Sequence, residues 1–427
     1  MTFWILLVFL AFFSAHFLVD TVLSRLNLKH AAAMGAQVPA PLQGHISQDT
    51  ARKSLDYTLV KGRFAQVHRV WSDGITLWVL LGGVLPWLDG LVLAAGLEGP
   101  HRFVAFLVAL GVALSLAGLP FRLYGTFVIE ARFGFNRTTW RLWLLDRLKA
   151  LGVAAMLGLP FLYGVHAFMA YSGPWWWLWL FGFMTAVQVA MVWLYPAFIA
   201  PLFNRFSTLP PGDLRTRVEA LAARAGFQPS GLYLMDASRR SGHSNAYFTG
   251  FFRPRIVLFD TLLDRVDTEE ALSVLAHEMG HYKARHIHKA LGIHMVGSLA
   301  SLYVLSLLIG WPPLFHAFGL AEPGLHTALA LFMLGGGAFT FWTTPIMAWF
   351  SRRNEFEADG YSIRLTGQAS DRPGALRTAL VKLNEDNLAN LHPHPWFSQF
   401  YYSHPPLVER LQALEAQQAP HRSAPPG

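Results

Sequence analysis

The chain contains no cysteine among its 427 residues. Disulfides, thiolate nucleophiles and cysteine-held metals are therefore excluded, and a transition metal would have to be gripped by histidine and carboxylate. Charge is also scarce: Asp, Glu, Lys and Arg make up 14% of the residues, against about 25% in ordinary soluble domains. There is no internal repeat and no glycine-rich phosphate loop. What fills the chain instead is apolar: 53% hydrophobic residues, with 33 Phe and 15 Trp. Such a composition points to lipid as the surrounding solvent. The formal charge of +8 would suit nucleic acid, but its distribution argues for membrane orientation, and no nucleic-acid partner is expected.

Seven stretches approach the roughly 20 apolar residues needed to cross a bilayer. They lie at about 3–22, 75–97, 103–121, 150–170, 175–200, 290–311 and 325–350. The second is interrupted by Pro86 and Asp89. The first lacks a basic leading region and ends in Asp20, so it reads as a span rather than a signal peptide. Of the 34 Lys and Arg residues, 33 fall in segments 23–74, 122–149, 202–289 and 351–427. With seven spans these segments share one face, and the opposite face keeps only Arg102. A six-span arrangement would split them. Because positive loops face the cytoplasm, the N-terminus is expected outside, with the catalytic segments and the C-terminus inside. Abundant Arg, sparse Lys and absent Cys favour a bacterial inner membrane. His16, Asp20, Asp89, His166, Gln188 and His294 lie within or beside spans, where polar groups face protein or water rather than lipid.

This divides the chain into five spans (1–201, with loops 23–74 and 122–149), a catalytic segment (202–289), spans six and seven (290–350) and a C-terminal catalytic segment (351–418). Residues 419–427 read as a disordered tail. Within the catalytic segment, Asp213 to Ala225 is an amphipathic helix and Leu232 to Met235 a strand. Asn245 to Phe251 and Arg255 to Phe259 read as a hairpin. A helix over 268–286 follows. Asp267 is its N-cap, and Glu270 completes a capping-box spacing.

That helix carries His277-Glu278-Met279-Gly280-His281, an H-E-x-x-H motif. Residues four apart share a helical face, so His277 and His281 can aim both rings at one Zn²⁺, while Glu278 reaches an adjacent water as general base. The plain alternative is two helix-surface histidines. A catalytic zinc needs a third protein ligand. Positions 284 and 287 are Ala and Ile, which excludes the metzincin pattern. Past the seventh span, Glu355 and Asp359 share a helical face. Their spacing suits a gluzincin site, with Glu355 on the metal and Asp359 accepting a hydrogen bond from the far side of His277. Glu357 points away and is expected in solvent. A charged helix cap beyond a span would also explain this cluster.

These two motifs together resemble the type I CAAX prenyl endopeptidases, integral-membrane zinc proteases. The resemblance extends to Glu130-Ala131-Arg132-Phe133-Gly134-Phe135-Asn136, Ile199-Ala200-Pro201-Leu202-Phe203-Asn204 and Ser244-Asn245-Ala246-Tyr247-Phe248-Thr249-Gly250-Phe251. It continues through Arg255-Ile256-Val257-Leu258-Phe259-Asp260 and Tyr402-Ser403-His404-Pro405-Pro406-Leu407-Val408-Glu409-Arg410-Leu411. The resemblance implies a mainly α protein. Seven tilted membrane helices would form a chamber, joined to a gluzincin-like zinc protease domain with a small β-hairpin. It also implies His404 and Arg410 as oxyanion donors. On the residues alone, Ser403 to Pro406 is equally a turn before a final helix, and Arg410 could pair with Glu409 or Glu415. Asn245, Ala246 and Tyr247 are candidates to hold substrate as an added edge strand, or form an ordinary hairpin under the zinc helix. The expected cofactor is one Zn²⁺ per chain, and the expected partners are the bilayer and a peptide or protein substrate, prenylated or not. Competing readings are a broad-specificity membrane quality-control protease and a non-catalytic seven-helix channel or scaffold.

Overall fold

The computed structural model describes residues 1–226, 229–249, 255–367 and 374–422. The chain opens with α1 (Thr2–Met34), α2 (Gln48–Leu81) and α3 (Val84–Ala94). Three long helices follow: α4 (Gly99–Glu130), α5 (Trp140–Tyr171) and α6 (Gly173–Phe203). The polar middle holds β1 (Phe206–Thr208), α7 (Asp213–Arg224), β2 (Gly231–Met235), β3 (Ala246–Thr249), β4 (Arg255–Phe259) and α8 (Thr268–Lys283). Then come α9 (His286–Leu308), α10 (Leu325–Thr366), α11 (Ala375–Asp386), α12 (Pro395–Tyr401) and α13 (Leu407–Arg422).

Six helices among the described residues are long and apolar enough to cross a bilayer, and seven if α2 and α3 form one span bent by 62°. Only 6% to 39% of each apolar window is buried inside the protein. The spans therefore meet along narrow seams and turn most of their surface to lipid or to internal space. The break in the second span is at Gly82-Gly83, where Gly83 adopts φ +75°, a left-handed conformation that glycine enters at little cost. Pro86 sits in the first turn of α3, where its missing N–H leaves no gap in the helix. Asp89 is not adrift in lipid: Arg102 grips it at 2.9 and 2.6 Å and His326 Nε2 lies 2.7 Å away.

The segments expected as loops are largely helical. α1 runs on to Met34, and α2 starts at Gln48, where Ser47 Oγ accepts from the Thr50 amide at 3.0 Å. In 122–149 only Phe133 to Thr139 is non-helical. Hydropathy marks where a helix leaves the membrane, not where it ends, and capping residues set the true ends. α13 likewise runs through 419–422, the start of the expected disordered tail. Leu411 and Leu414 anchor its first turns, and helix propagation is easy once begun. Residues 423–427 and the 250–254 connection lie outside the described residues.

The sheet has the order β1-β2-β4-β3, so the expected hairpin is the β3–β4 edge of a larger sheet. β2 and β4 are parallel, while β1–β2 and β3–β4 are antiparallel. Its inner face packs Leu232, Ile256 and Leu258 against Val218 and Leu221 of α7 and Leu275 and Met279 of α8. Each such fully buried side chain contributes about 1.5–3 kcal/mol. A separate membrane core gathers Phe9, Leu80, Leu85, Phe106 and Phe315. The apolar core under the sheet fixes α8, and α8 lies along α10, the pairing on which the site depends.

Candidate metal centre and catalytic cavity

α8 begins as its sequence dictates. Asp267 Oδ1 accepts from the Glu270 amide at 3.0 Å, and Glu270 Oε2 accepts from the Asp267 amide at 2.9 Å. Two orphan helix donors are thus satisfied reciprocally. Lys382 of α11 adds an ion pair to Glu270 at 2.6 Å. Three turns on, His277 and His281 share the face toward α10. Gly280 lets the two helices close: a Cβ there would stand 3.0 Å from Ala358 Cα and 3.1 Å from Tyr361 Cβ. Ser362 Oγ of α10 also donates to the Ser273 carbonyl at 2.7 Å.

The closeness brings three groups together. His277 Nε2 lies 3.4 Å from Glu355 Oε2, and His281 Nε2 lies 3.3 Å from Glu355 Oε1. The two ring nitrogens face each other at 3.1 Å. One ligand atom from each of the three residues falls within 4.8 Å of the others. Glu355 Oε2 is buried without a well-formed hydrogen bond. Two imidazole nitrogens and a buried carboxylate, converging with ligand capacity left over, are a donor set that fits a divalent cation of the zinc type.

Both histidines are held from behind. His277 Nδ1 lies 2.8 Å from Asp359 Oδ1, which turns Nε2 toward the centre. Burial opposes a charge on His277, but the Asp359 and Glu355 carboxylates more than offset it and hold its pKa at about 9. Asp359 is in turn gripped by the Arg410 fork, Nε at 2.9 Å and Nη2 at 2.6 Å. Arg410 is buried and pairs with neither Glu409 nor Glu415; its Nη1 stays 3.8 Å from Glu355. The support of His281 was not foreseen. Its Nδ1 lies 2.9 Å from His286 Nδ1, and His286 Nε2 lies 3.2 Å from Glu357 Oε2. Glu357, expected in solvent, is half exposed and closes this relay. Arg285 at φ +55° ends α8 and turns the chain so that His286 doubles back.

A cavity of about 480 Å³ opens on the centre. Glu278 lines it beside His277, partly buried, and burial raises its carboxyl pKa. His404 lines it too, with Nε2 3.4 Å from Glu355 Oε1. Asn245 and Ala246 form part of the rim. Tyr247 does not: successive side chains leave opposite faces of a strand, so its ring packs on Phe259 at 6.1 Å, beside Met235 and Val257. The far wall comes from α11 and the turn after it, with Leu376, Leu380 and Leu383 beside Asn384, Asn387 and Asn390. Leu388 at φ +45° bends that turn. From the sequence these three asparagines receive no role, although their three-residue spacing is a readable signal.

Two sequence families match the chain. Residues 27–205 match the one described as CAAX prenyl protease N-terminal, five membrane helices, and residues 209–418 match peptidase family M48. The chain is 37% identical to the CAAX prenyl protease 1 homolog of Oryza sativa subsp. japonica, over 91% of this chain and 92% of that one. It is 33% identical to the homolog from Homo sapiens, over 88% of each. The crystal structure of S. mikatae Ste24p superposes with a TM-score of 0.87 at 30% identity, covering 96% of this chain and 98% of that one. The chain therefore belongs to peptidase family M48 and is an integral-membrane metalloprotease.

Proposed function

We propose that this protein hydrolyses peptide bonds near the C-termini of CAAX-type substrates, using one Zn²⁺ held by His277, His281 and Glu355. The observation that carries this reading is the convergence of those three donors within 4.8 Å, beside Glu278 in an open cavity. A bound Zn²⁺ in such a site supplies Lewis acidity and lowers the pKa of water from about 16 to about 7. Glu278 takes a proton from the attacking water and returns it to the leaving amine. Asp359 fixes the His277 tautomer, and Arg410 holds Asp359 in place. His404 donates to the oxyanion of the tetrahedral centre. Arg410, expected as a second oxyanion donor, spends its Nε and Nη2 on Asp359 and leaves only Nη1 toward the centre, 3.8 Å from Glu355.

Backbone geometry supports edge-strand binding of substrate. Among the described residues β3 pairs only with β4. The Phe259 amide donates to the Asn245 carbonyl at 3.2 Å, and hydrogen-bonded pairs alternate along an antiparallel ladder. The Ala246 carbonyl therefore points to the free edge, toward the cavity that Ala246 lines. An extended peptide accepted there would run beside the proposed metal site, its affinity drawn from main-chain bonds.

The names of the relatives support the CAAX assignment, and the distribution of basic residues supports a cytoplasmic site for catalysis. The test is cleavage of matched peptides with and without a farnesyl group, with product masses determined. Cleavage directly after the modified cysteine, favoured by the farnesyl group, is expected. Equal cleavage of both peptides at scattered bonds would point to a broad-specificity protease.

A further inference from the structure

The first span carries a polar stripe. Asp20, Ser24 and Asn27 lie at spacings of four and three on α1, so they share one face, and all three are buried at 6%, 8% and 7% exposure. Asp20 accepts a hydrogen bond from the Tyr401 hydroxyl and pairs with Arg69. Ser24 Oγ accepts from Arg69 at 3.3 Å. Asn27 Oδ1 accepts from the His394 amide at 2.9 Å and from Asn390 Nδ2 at 3.5 Å. The stripe thus grips both ends of one short piece of chain, from Asn390 to Tyr401.

Arg352 of α10 also holds that piece and the residue after it. Its Nη1 donates to the Ser398 carbonyl at 3.2 Å and to the Tyr402 carbonyl at 2.8 Å. Arg352 stands one helical turn before Glu355. Directly after the gripped piece come Tyr402, Ser403 and His404. His404 sits in the non-helical stretch before α13 with its side chain 65% exposed, its Nδ1 meeting, among the described residues, only the adjacent Ser403 Oγ, at 3.0 Å, on the same pinned stretch. Its place 3.4 Å from Glu355 is set by where the backbone at Tyr401 and Tyr402 is pinned. Bonds to a carboxylate in a low-dielectric setting are the stronger kind, so the Asp20–Tyr401 link is well suited to that task.

We infer that the first membrane span is part of the catalytic apparatus: Asp20, Asn27 and Tyr401 are positioning residues that hold His404 at the reacting carbonyl. This rests on the reading of His404 given above as an oxyanion donor. A displacement near 1 Å at a reacting group can cost about 100-fold in rate, so loosening the clamp is a kinetic lesion rather than a loss of fold.

The test is a double-mutant cycle on the full-length, zinc-loaded protein with a reporter peptide. Tyr401→Phe removes one hydroxyl and keeps the ring, which sits 4.9 Å from Phe397 and 4.8 Å from Phe400. It is expected to lower kcat about 10-fold with KM and zinc content unchanged. His404→Ala alone should lower kcat about 100-fold. In the His404→Ala background, Tyr401→Phe should change kcat by less than about twofold, because coupled sites are non-additive. Asp20→Asn should follow the same cycle, and Tyr401→Phe decides the matter if that variant does not fold. An unchanged kcat for Tyr401→Phe, a kcat loss that tracks zinc loss, or losses that multiply in the double variant would overturn the clamp. Full kcat in His404→Ala would instead overturn the oxyanion reading, and the clamp with it.

Discussion

At the scale of single residues, neighbours in sequence take different tasks. His277 turns into the junction of α8 and α10, while Glu278, one position on, faces the cavity with its carboxyl pKa raised by burial. Glu278→Gln preserves shape but cannot accept a proton. It should retain its zinc and lose about 100- to 10,000-fold in kcat, read from metal analysis and reporter hydrolysis on one preparation; undiminished turnover would remove Glu278 as the base. The His277, His281, Glu355 and Asp359 cluster could be read from the sequence because helical spacing dictates which side chains share a face. The His286–Glu357 support of His281 could not. It depends on the left-handed turn at Arg285, a backbone choice that residue type does not announce. Tyr247 shows the complementary limit: the strand was identified, but not which of its residues face the cavity.

At the scale of elements, the decisive contact is α8 against α10. Gly280 is the residue that sets their separation, since a Cβ would meet Ala358 backbone atoms at 3.0 and 3.2 Å. Gly280→Ala should destabilise the protein by about 1–3 kcal/mol through overpacking and lower zinc occupancy as Glu355 moves back. Thermal unfolding in detergent and metal content measure the two effects. Unchanged values for both would mean that this approach does not govern the site. The capping box made the start of α8 predictable. The sheet was only half legible, because β1 is three residues long and the β2–β4 pairing joins segments about 20 residues apart. Gly82-Gly83 was a visible breaker, but a window of mean hydropathy passes over two glycines. The π turns at Gly125–Glu130, Ala154–Gly158 and Tyr195–Ile199 were also beyond sequence reading; each has a proline within a few residues, which disturbs the regular hydrogen-bond ladder.

At the scale of the whole molecule, charge and hydropathy gave the count of spans, with the bent α2–α3 pair as the seventh. Arg102, expected as the lone basic residue of the opposite face, pairs with Asp89 at 2.6 Å. The cysteine-free background makes orientation directly testable. Asp213→Cys, with its side chain 74% exposed on α7, and Glu322→Cys, exposed between α9 and α10, should label from opposite faces with an impermeant thiol reagent, Glu322→Cys from outside. Labelling of both from the same face would refute the seven-span arrangement. The account as a whole depends on a metal where α8 and α10 meet, and X-ray data collected across the zinc absorption edge test this most directly. One anomalous peak about 2.0–2.2 Å from His277 Nε2, His281 Nε2 and a Glu355 oxygen is the predicted result. A zinc-loaded, active preparation whose only peak lies away from these three residues would contradict it.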